Sequence, residues 1–275
     1  MTALQSNTLI QSNFLIAILV KILIQGSKFW ITNGPIADYI ILYAKTDPTS
    51  NGGRSLTAFI LDTKTEGFTA NDIPGKLGMR GSPTGDLSLN NVKIPADCVL
   101  GGEGWGAAVL MSGLNIERIL AAAVPVGIAQ AAIDCAFPYA HERKQFDTPI
   151  GEFQLIQGKM ADMYTELSAC RSYLYNIARD ADKREPTNHE CAGLVLYCAE
   201  KATKIALDAI QILGGNGYSE FLLFDKHSVI TQFLVNDYPT GRYVRDAKLW
   251  EIGAGTSEVR RVIVGRYFNS LFKNK

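Results

Sequence analysis

A glutamate on an apolar stripe is the first residue in this sequence that could do chemistry. Glu117 belongs to a series spaced by four and three residues, so its members lie on one face of a helix. The series is Leu110, Leu114, Glu117, Ala121, Val124 and Ile128. Burial raises the pKa of a carboxyl group above about 4.3, which suits a general base acting near neutral pH. An ion pair with a basic residue on a neighbouring helix is the alternative, and the spacing alone favours it.

Two glycine-containing segments could let a ligand approach the backbone closely. In residues 211–218, Gly214 and Gly215 follow a helical pattern and remove side chains where a phosphate or another backbone could lie. Glycine after a helix is more often a C-cap, and without other support that interpretation leads. After Gly255, Thr256 begins a helix and would offer its hydroxyl and free N–H groups at the positive end of the helix dipole. Simple N-capping explains Thr256 equally well.

Other common catalytic motifs are missing from the sequence. It contains no nucleophile elbow, phosphate-binding loop or dinucleotide fingerprint, which removes support for a serine hydrolase, a nucleoside triphosphatase or a Rossmann enzyme. A two-metal site in a helical bundle needs Glu-x-x-His, and neither Glu142 nor Glu190 has a histidine at that offset. We therefore expect no metal site. We expect His141, His189 and His227 to be surface or capping residues.

The composition bounds the class of protein. With 275 residues, 47% of them hydrophobic and 20% charged, the chain fits an ordinary globular protein of one large or two modest domains. Its formal net charge is zero, which gives no reason to expect nucleic acid or an anionic membrane surface as a partner. The five cysteines are widely spaced, without a C-x-x-C pair, which favours free thiols in a reducing compartment over disulfides or zinc.

An apolar stretch at residues 9–24 could suggest a membrane span or a secretion signal. It is interrupted by Gln11, Ser12, Asn13 and Lys21, and it is shorter than the roughly 20 apolar residues that cross a bilayer. The sequence also lacks an Arg-rich amphipathic transit segment at this end. We expect neither a membrane span nor a signal peptide here.

Two kinds of element must position these residues, so the fold class is predicted as α+β. Short β-rich runs separated by turn residues predict an antiparallel β domain over residues 26–100. The runs are residues 29–31, 39–43, 56–60 and 87–89. After the glycine-rich residues 101–104 the apolar period becomes 3.6, which predicts an antiparallel helical bundle over residues 101–275. The helices are predicted at residues 105–143, 153–183, 189–213, 239–251 and 256–272.

Several segments together resemble the acyl-CoA dehydrogenase family. They are residues 26–34 (GSKFWITNG), 76–81 (KLGMRG), 142–146 (ERKQF), 211–218 (QILGGNGY) and 251–258 (EIGAGTSE). The segment LMSGLNIER at residues 110–118 is similar to the isovaleryl-CoA branch of that family. The match is expected to run from about residue 26 to 218 and from 236 to the C-terminus. Residues 1–25 are expected to match nothing in the family, and residues 219–235 are expected to be an atypical insertion.

The resemblance changes the interpretation of Glu117. Most family members carry their base immediately before the Gly-Thr of the last motif, where this sequence has Ala254. The isovaleryl branch instead uses a glutamate on the preceding long helix, which corresponds to Glu117. The missing carboxylate at position 254 thus implies that Glu117 is the catalytic base.

The resemblance also implies FAD as the cofactor and a set of contacts for it. Beside the isoalloxazine ring would lie Trp30, Ile31 and Thr32. Contacts to the FAD of a neighbouring subunit would come from Arg143, Gln154, Gln211, Ile212, Leu213, Gly214 and Gly215. Thr256, Ser257 and Glu258 would also contact FAD. Next to the acyl-CoA would lie Asn115, Ile116, Arg118, Ala254 and Gly255.

The implied reaction is α,β-dehydrogenation of a short branched acyl-CoA, isovaleryl-CoA to 3-methylcrotonyl-CoA, as in leucine catabolism. Electron-transferring flavoprotein would be the acceptor, in the mitochondrial matrix, and the protein would be a tetramer as is usual in the family. The N-terminal helical domain of the family is expected to be missing from this chain. Two alternatives stay open: an inactive bundle that only binds subunits or acyl-CoA, and an acyl-CoA oxidase.

Overall fold

The structure is a computed structural model that describes residues 21–47, 49, 52–184, 186–218 and 238–273. Most of the predicted segment 1–25 and the whole predicted insertion at 219–235 lie outside these residues. Backbone contacts divide the chain into two compact units, Met1–Leu114 and Asn115–Lys275. The division falls inside the first long helix rather than at the glycines 101–104.

The first unit is built from antiparallel strands, as predicted. They are β1 (Lys21–Thr32), β2 (Tyr39–Lys45), β3 (Leu56–Asp62), β4 (Phe68–Asp72), β5 (Thr84–Pro95) and β6 (Val99–Leu100). One sheet has the order β1-β5-β4 and the other has the order β2-β3-β6. Three details differ from the expectation: β1 already begins at Lys21, and neither β4 nor β6 has a counterpart among the predicted runs.

A bulge explains why only part of β5 shows a strand pattern in the sequence. Leu87 and Leu89 are buried on one face, but the next buried residue is Val92 rather than residue 91. Asn91 has a φ of 54°, and the pairing with β1 shifts between Ile24 and Gly26. An extra residue in one strand moves the alternation by one position, so the apolar pattern that marks a strand is interrupted.

The second unit is a helical bundle, which confirms the predicted fold class. Its helices are α1 (Gly106–Glu142), α2 (Gln154–Ala181), α3 (Asn188–Leu213), α4 (Gly215–Tyr218), α5 (Thr240–Leu249) and α6 (Ser257–Phe272). The ends of the five longer helices agree with the predicted helices within about two residues, whereas the short α4 was not predicted. A short hairpin of β7 (Lys144–Gln145) and β8 (Thr148–Pro149), which the sequence pattern did not predict, joins α1 to α2.

Small side chains line the buried face of α1. Ala122, Ala129, Ala132, Ala136 and Ala140 are fully or almost fully buried in the core that α1 shares with α2 and α3. By length and composition alone, α1 is the one described helix that could cross a membrane. The core helix of a bundle has the same composition, and the alanine face of α1 is covered by protein.

The first turn of α1 also packs closely against β3, which accounts for the place where the two units divide. A Cβ atom added at Gly106 would lie 2.7 Å from the carbonyl carbon of Thr57 and 2.9 Å from the nitrogen of Ala58. The Thr57 hydroxyl accepts a hydrogen bond from the N–H of Gly104 at 2.9 Å. The start of the helix therefore belongs to the β unit, and its remainder belongs to the bundle.

Candidate active site

Glu117 lies in α1, but not on its buried face. The side chain is half-buried, and in its predicted stripe Leu114 and Ala121 are also half-buried while Val124 is exposed. The face that packs into the bundle is centred one position further on, at Arg118 and Ala122. The expectation of a buried Glu117 was wrong, because the face of α1 that packs into the bundle runs through Ile119, Ala122 and Val126 rather than through the stripe that contains Glu117.

The neighbours of Glu117 tie this turn of α1 to the start of α3. The Asn115 side-chain amide donates to the carbonyl oxygen of Pro186 at 2.9 Å. The Arg118 guanidinium, only 6% exposed, donates to the side-chain oxygen of Asn188. Asn115 and Arg118, expected beside the substrate, thus have protein partners, whereas Ile116 is exposed. Glu117 stands between two anchored residues.

The start of α3 is itself well fixed. Thr187 and Glu190 form a reciprocal capping box, and Arg184 bonds the Glu190 carboxylate at 2.8 Å. These hydrogen bonds, first that from Arg184, lower the pKa of Glu190 to about 2. His189 stacks on Tyr267 with ring centroids 3.4 Å apart. His189 is therefore a packing residue rather than the surface or capping residue that the sequence predicts. The described residues contain no cluster that could hold a metal ion.

A tight turn precedes α6 and carries the predicted substrate residues. Ala254 has a φ of 54° and Gly255 a φ of 97°, both in the left-handed region. Thr256 caps α6, because its hydroxyl accepts the N–H of Val259 at 3.3 Å. The N-capping role that the sequence offers for Thr256 is thus confirmed. Ser257 is buried and Glu258 is exposed, so the two neighbouring FAD candidates differ in accessibility.

Arg260 is a residue of this region that the sequence did not single out. Its side chain is 1% exposed, and its guanidinium donates to the carbonyl oxygens of Trp250 at 2.6 Å and Gly253 at 2.7 Å. Burial, and after it the nearby charge of Arg118, lower the pKa of Arg260 to about 10. Arg260 and Arg261 are adjacent in the sequence, and nothing in the pattern shows which of them is buried.

Several buried polar atoms collect where these pieces meet. Among the described residues, Asn115 Oδ1, Arg118 Nε, Trp250 Nε1 and Arg260 Nε are buried without a hydrogen-bond partner. Buried polar groups normally have a partner in protein or ordered water, so unpaired ones mark a place for a ligand or water. The turn that carries Glu117 and the turn before α6 therefore border a polar region of the bundle.

The expected FAD contacts of the bundle form an open surface. Arg143, Gln154 and Gln211 are exposed, and an added Cβ at Gly214 or Gly215 would meet no atom within 4 Å. Phe146, 90% exposed, meets the ring of Phe153 edge to face. Ile212 and Leu213 differ from the expectation, because their side chains are buried in the core and only their backbone could reach a cofactor.

The expected flavin contacts of the β unit are also open. Trp30 is 51% exposed, has a φ of 62° and meets Phe29 edge to face at 5.4 Å. Ile31 is half-buried and Thr32 is exposed. An exposed aromatic pair beside a hydroxyl fits a planar ring that carries hydrogen-bonding edges. In each unit, the residues present therefore fit a flavin nucleotide.

Comparison with known proteins identifies the family of the chain. Residues 6–92 match the middle domain of acyl-CoA dehydrogenases, and residues 102–268 match their C-terminal domain. The chain belongs to the acyl-CoA dehydrogenase family. The match from residue 6 corrects the expectation that residues 1–25 have no counterpart there, and it agrees with the start of β1 at Lys21.

Three relatives give the extent of the likeness. The chain is 51% identical to mitochondrial isovaleryl-CoA dehydrogenase of Pongo abelii over 91% of its length and 56% of the relative's. It is 50% identical to mitochondrial 2-methylacyl-CoA dehydrogenase of Solanum tuberosum, with coverage of 92% and 56%. Butyryl-CoA dehydrogenase of Megasphaera elsdenii has a similar structure, with a TM-score of 0.81, 36% identity and coverage of 90% and 61%. The chain thus spans little more than half the length of these curated relatives.

Proposed function

We propose that this chain takes part in the FAD-dependent α,β-dehydrogenation of a short branched acyl-CoA, with Glu117 as the catalytic base. One observation carries the proposal. Position 254, where most of the family would have its base, holds an alanine, and Arg118 beside Glu117 lies close to Arg260, which bonds the turn before Ala254. Of the acidic residues in α1, Glu117 is therefore the one nearest in sequence to this polar region.

Each residue has a distinct part in the proposed reaction. When bound, FAD would supply the two-electron acceptor for the hydride that leaves the β carbon of the substrate. The Glu117 carboxylate takes the proton from the α carbon, which gives a 2,3-enoyl-CoA. A backbone N–H in the turn at Ala254 and Gly255 stabilises the negative charge that develops on the thioester oxygen. Trp30 and Thr32 would contact the flavin ring, and the open glycines at 214 and 215 would contact the FAD of a neighbouring subunit.

The proposed substrate is isovaleryl-CoA, which carries its methyl branch at carbon 3. Ala254 and Gly255 leave more room beside the reacting carbons than a glutamate at position 254 would. The names of the Pongo abelii and Solanum tuberosum relatives both specify branched acyl groups, with the branch at different carbons. Turnover of isovaleryl-CoA, 2-methylbutyryl-CoA and octanoyl-CoA should therefore be compared. A preference for the straight chain of eight carbons would contradict the proposal.

The proposed partners follow from the same family. Electron-transferring flavoprotein would receive the electrons in the mitochondrial matrix, and the names of both curated relatives place them in mitochondria. The open surface around Arg143, Phe146 and Gln154 supports a neighbouring subunit that shares its cofactor. Sedimentation of the FAD-loaded protein should then show a tetramer.

Glu117→Gln tests the role of the base. The chain should be assayed alone and joined to the N-terminal part of the Pongo abelii relative, because it spans 56% of that protein. The variant should keep FAD, seen by absorbance at about 450 nm, and should still bind isovaleryl-CoA. Its dye-coupled turnover should fall by roughly a thousandfold, since the amide cannot accept the α proton.

Asp134→Asn is the matched control, because it makes the same change at an exposed position of the same helix. It should leave turnover unchanged. Near-parental turnover in Glu117→Gln would make Glu117 a structural residue and would overturn the mechanism. Hydrogen peroxide formed in proportion to product would identify an oxidase instead. FAD binding without any turnover in the joined protein would favour the inactive binding bundle.

A further inference from the structure

A buried arginine braces the turn that leads to the proposed thioester site. The two carbonyl groups that Arg260 bonds, on Trp250 and Gly253, lie at the start and near the end of this turn. The Ser257 N–H also donates back to the carbonyl oxygen of Glu251 at 2.9 Å. The turn is thus held from the first residues of α6, immediately before Ala254 and after Gly255.

Packing alone does not explain a charged residue at this position. Transfer of a guanidinium from water into protein is costly unless it is hydrogen-bonded, and an apolar side chain would fill the same space without that cost. The nearby charge of Arg118 adds to the cost, while Glu200 and Glu251 partly offset it. A rigid fork of N–H donors is, however, the side chain best suited to bridge two carbonyl oxygens.

The turn needs such a brace because its backbone is strained. Ala254 has a φ of 54°, and a non-glycine residue in the left-handed region is disfavoured by steric contacts of its Cβ atom. Such a conformation persists only where the surroundings hold it in place. The hydrogen bond from Arg260 to the carbonyl oxygen of Gly253, the residue directly before Ala254, supplies that constraint.

We propose that Arg260 is a positioning residue, which holds the turn from Trp250 to Gly253 so that the backbone at Ala254 and Gly255 meets the thioester oxygen correctly. This inference rests on the proposed function and adds a specific residue to it. Arg260 would not touch the substrate. It would act through the two carbonyl oxygens that it bonds, and so through the direction of the N–H groups that follow them.

Arg261 provides a matched control on the same helix. Its side chain is 53% exposed and forms an ion pair with Glu200 at 2.7 Å. Arg261→Gln therefore removes the same charge, one residue away, without removing a bond to the turn. Arg260→Lys keeps the charge of Arg260, but a single ammonium group cannot reproduce the fork. The set Arg260→Gln, Arg260→Lys and Arg261→Gln separates charge from geometry.

Hydrogen exchange of the chain itself tests whether Arg260 holds the turn, and this measurement does not depend on enzymatic activity. In Arg260→Gln, the amides of residues 252–257 should exchange at least tenfold faster than in the parent and in Arg261→Gln, while those of α2 and α3 stay protected. If Arg260→Gln unfolds, Arg260→Lys supplies the same comparison with a smaller increase. The proposal is overturned if the amides of residues 252–257 exchange no faster in either Arg260 variant than in Arg261→Gln.

Steady-state kinetics of the FAD-loaded protein test the link to the reaction. Arg260→Gln should lower kcat for isovaleryl-CoA by roughly tenfold to a hundredfold with little change in KM, because the donor acts mainly on the developing charge. Arg260→Lys should recover part of the loss. A faster-exchanging turn with an unchanged kcat would make Arg260 purely structural. If the parent protein shows no dehydrogenation, the proposed function fails, and exchange alone decides whether Arg260 holds the turn.

Discussion

At the scale of single residues, Ala254 shows how one position can combine strain and chemistry. By the resemblance to the family, position 254 lacks the carboxylate that most members carry there. The structure adds that its backbone has a φ of 54°, next to Gly255 at 97°. The backbone conformation therefore disfavours a β-branched side chain at position 254, and the proposed substrate would use the room that a small side chain leaves there.

We predict opposite effects for two substitutions at this position. Ala254→Val should lower the free energy of unfolding by about 1 kcal/mol or more, because a β-branched residue tolerates a positive φ poorly, and it should also reduce turnover. Ala254→Gly should keep or slightly raise stability, because glycine adopts this conformation without strain. Thermal and urea denaturation measure both effects.

Ala123→Val, at an exposed position of α1, is the control for adding two methyl groups. It should cost only a few tenths of a kcal/mol through helix propensity. If Ala254→Val lowers the free energy of unfolding no more than Ala123→Val does, the left-handed backbone at position 254 does not constrain the side chain.

At the scale of elements, the start of α3 supports the turn that carries Glu117. Pro186 and Asn188 receive the hydrogen bonds of Asn115 and Arg118, and the capping box of Thr187 and Glu190 closes the same helix end. A well-fixed start of α3 therefore keeps the turn around the proposed base Glu117 well fixed, although none of the residues at the start of α3 needs to touch a substrate.

The capping box predicts a pH-dependent contribution to stability. The pKa of Glu190 is lowered from 4.5 to about 2, so its contribution is fully present above pH 4.5 and is lost as the pH falls through about 2. Glu190→Gln should therefore lower stability near neutral pH by about 1 kcal/mol. The difference between parent and variant should shrink as the pH falls below 4.5.

Thermal midpoints of the parent and Glu190→Gln across this pH range measure that contribution. Glu66→Gln, in the β unit and outside any helix, serves as the control. A difference between parent and Glu190→Gln that stays constant down to pH 2 would contradict the assignment of the low pKa to the hydrogen bonds that Glu190 accepts from Arg184 and Thr187.

At the scale of the whole molecule, both units expose large apolar side chains. Phe29 and Trp30 in the β unit, and Leu120, Phe146 and Leu155 in the bundle, are more than half exposed. Contiguous apolar surface of this kind marks places where other protein or a ligand packs. The chain spans 56% of the length of the Pongo abelii relative, which agrees with surfaces that further protein covers.

We therefore predict that the chain alone binds FAD weakly or not at all. Joined to the N-terminal part of the relative, and without residues 219–235, it should bind about one FAD per chain and have a higher thermal midpoint, because a ligand stabilises the form that binds it. The apolar composition of residues 219–235 also predicts better solubility without them. Equal flavin content and equal midpoints for the two proteins would contradict this prediction.

The sequence alone determined the elements and the family. Apolar periods of two and of 3.6 located the long helices within about two residues and parts of four strands, because these periods are local properties of the chain. They did not show the early start of β1 or the strands β4 and β6. Thr256 could be predicted as a helix cap for the same reason. Five short motifs and the alanine at position 254 were sufficient to identify the family and to select Glu117.

Only the tertiary structure decided which faces and which charges are buried. The period of α1 shows that apolar side chains share a face, but the bundle packs on the neighbouring face, which carries Ile119, Ala122 and Val126, and this leaves Glu117 half-buried. Arg260 is buried and Arg261 is exposed, although they are adjacent arginines in one helix. The partners of Arg260 are carbonyl oxygens of the preceding turn, at Trp250 and Gly253, and the conformation of that turn rather than a repeating pattern brings them to the guanidinium.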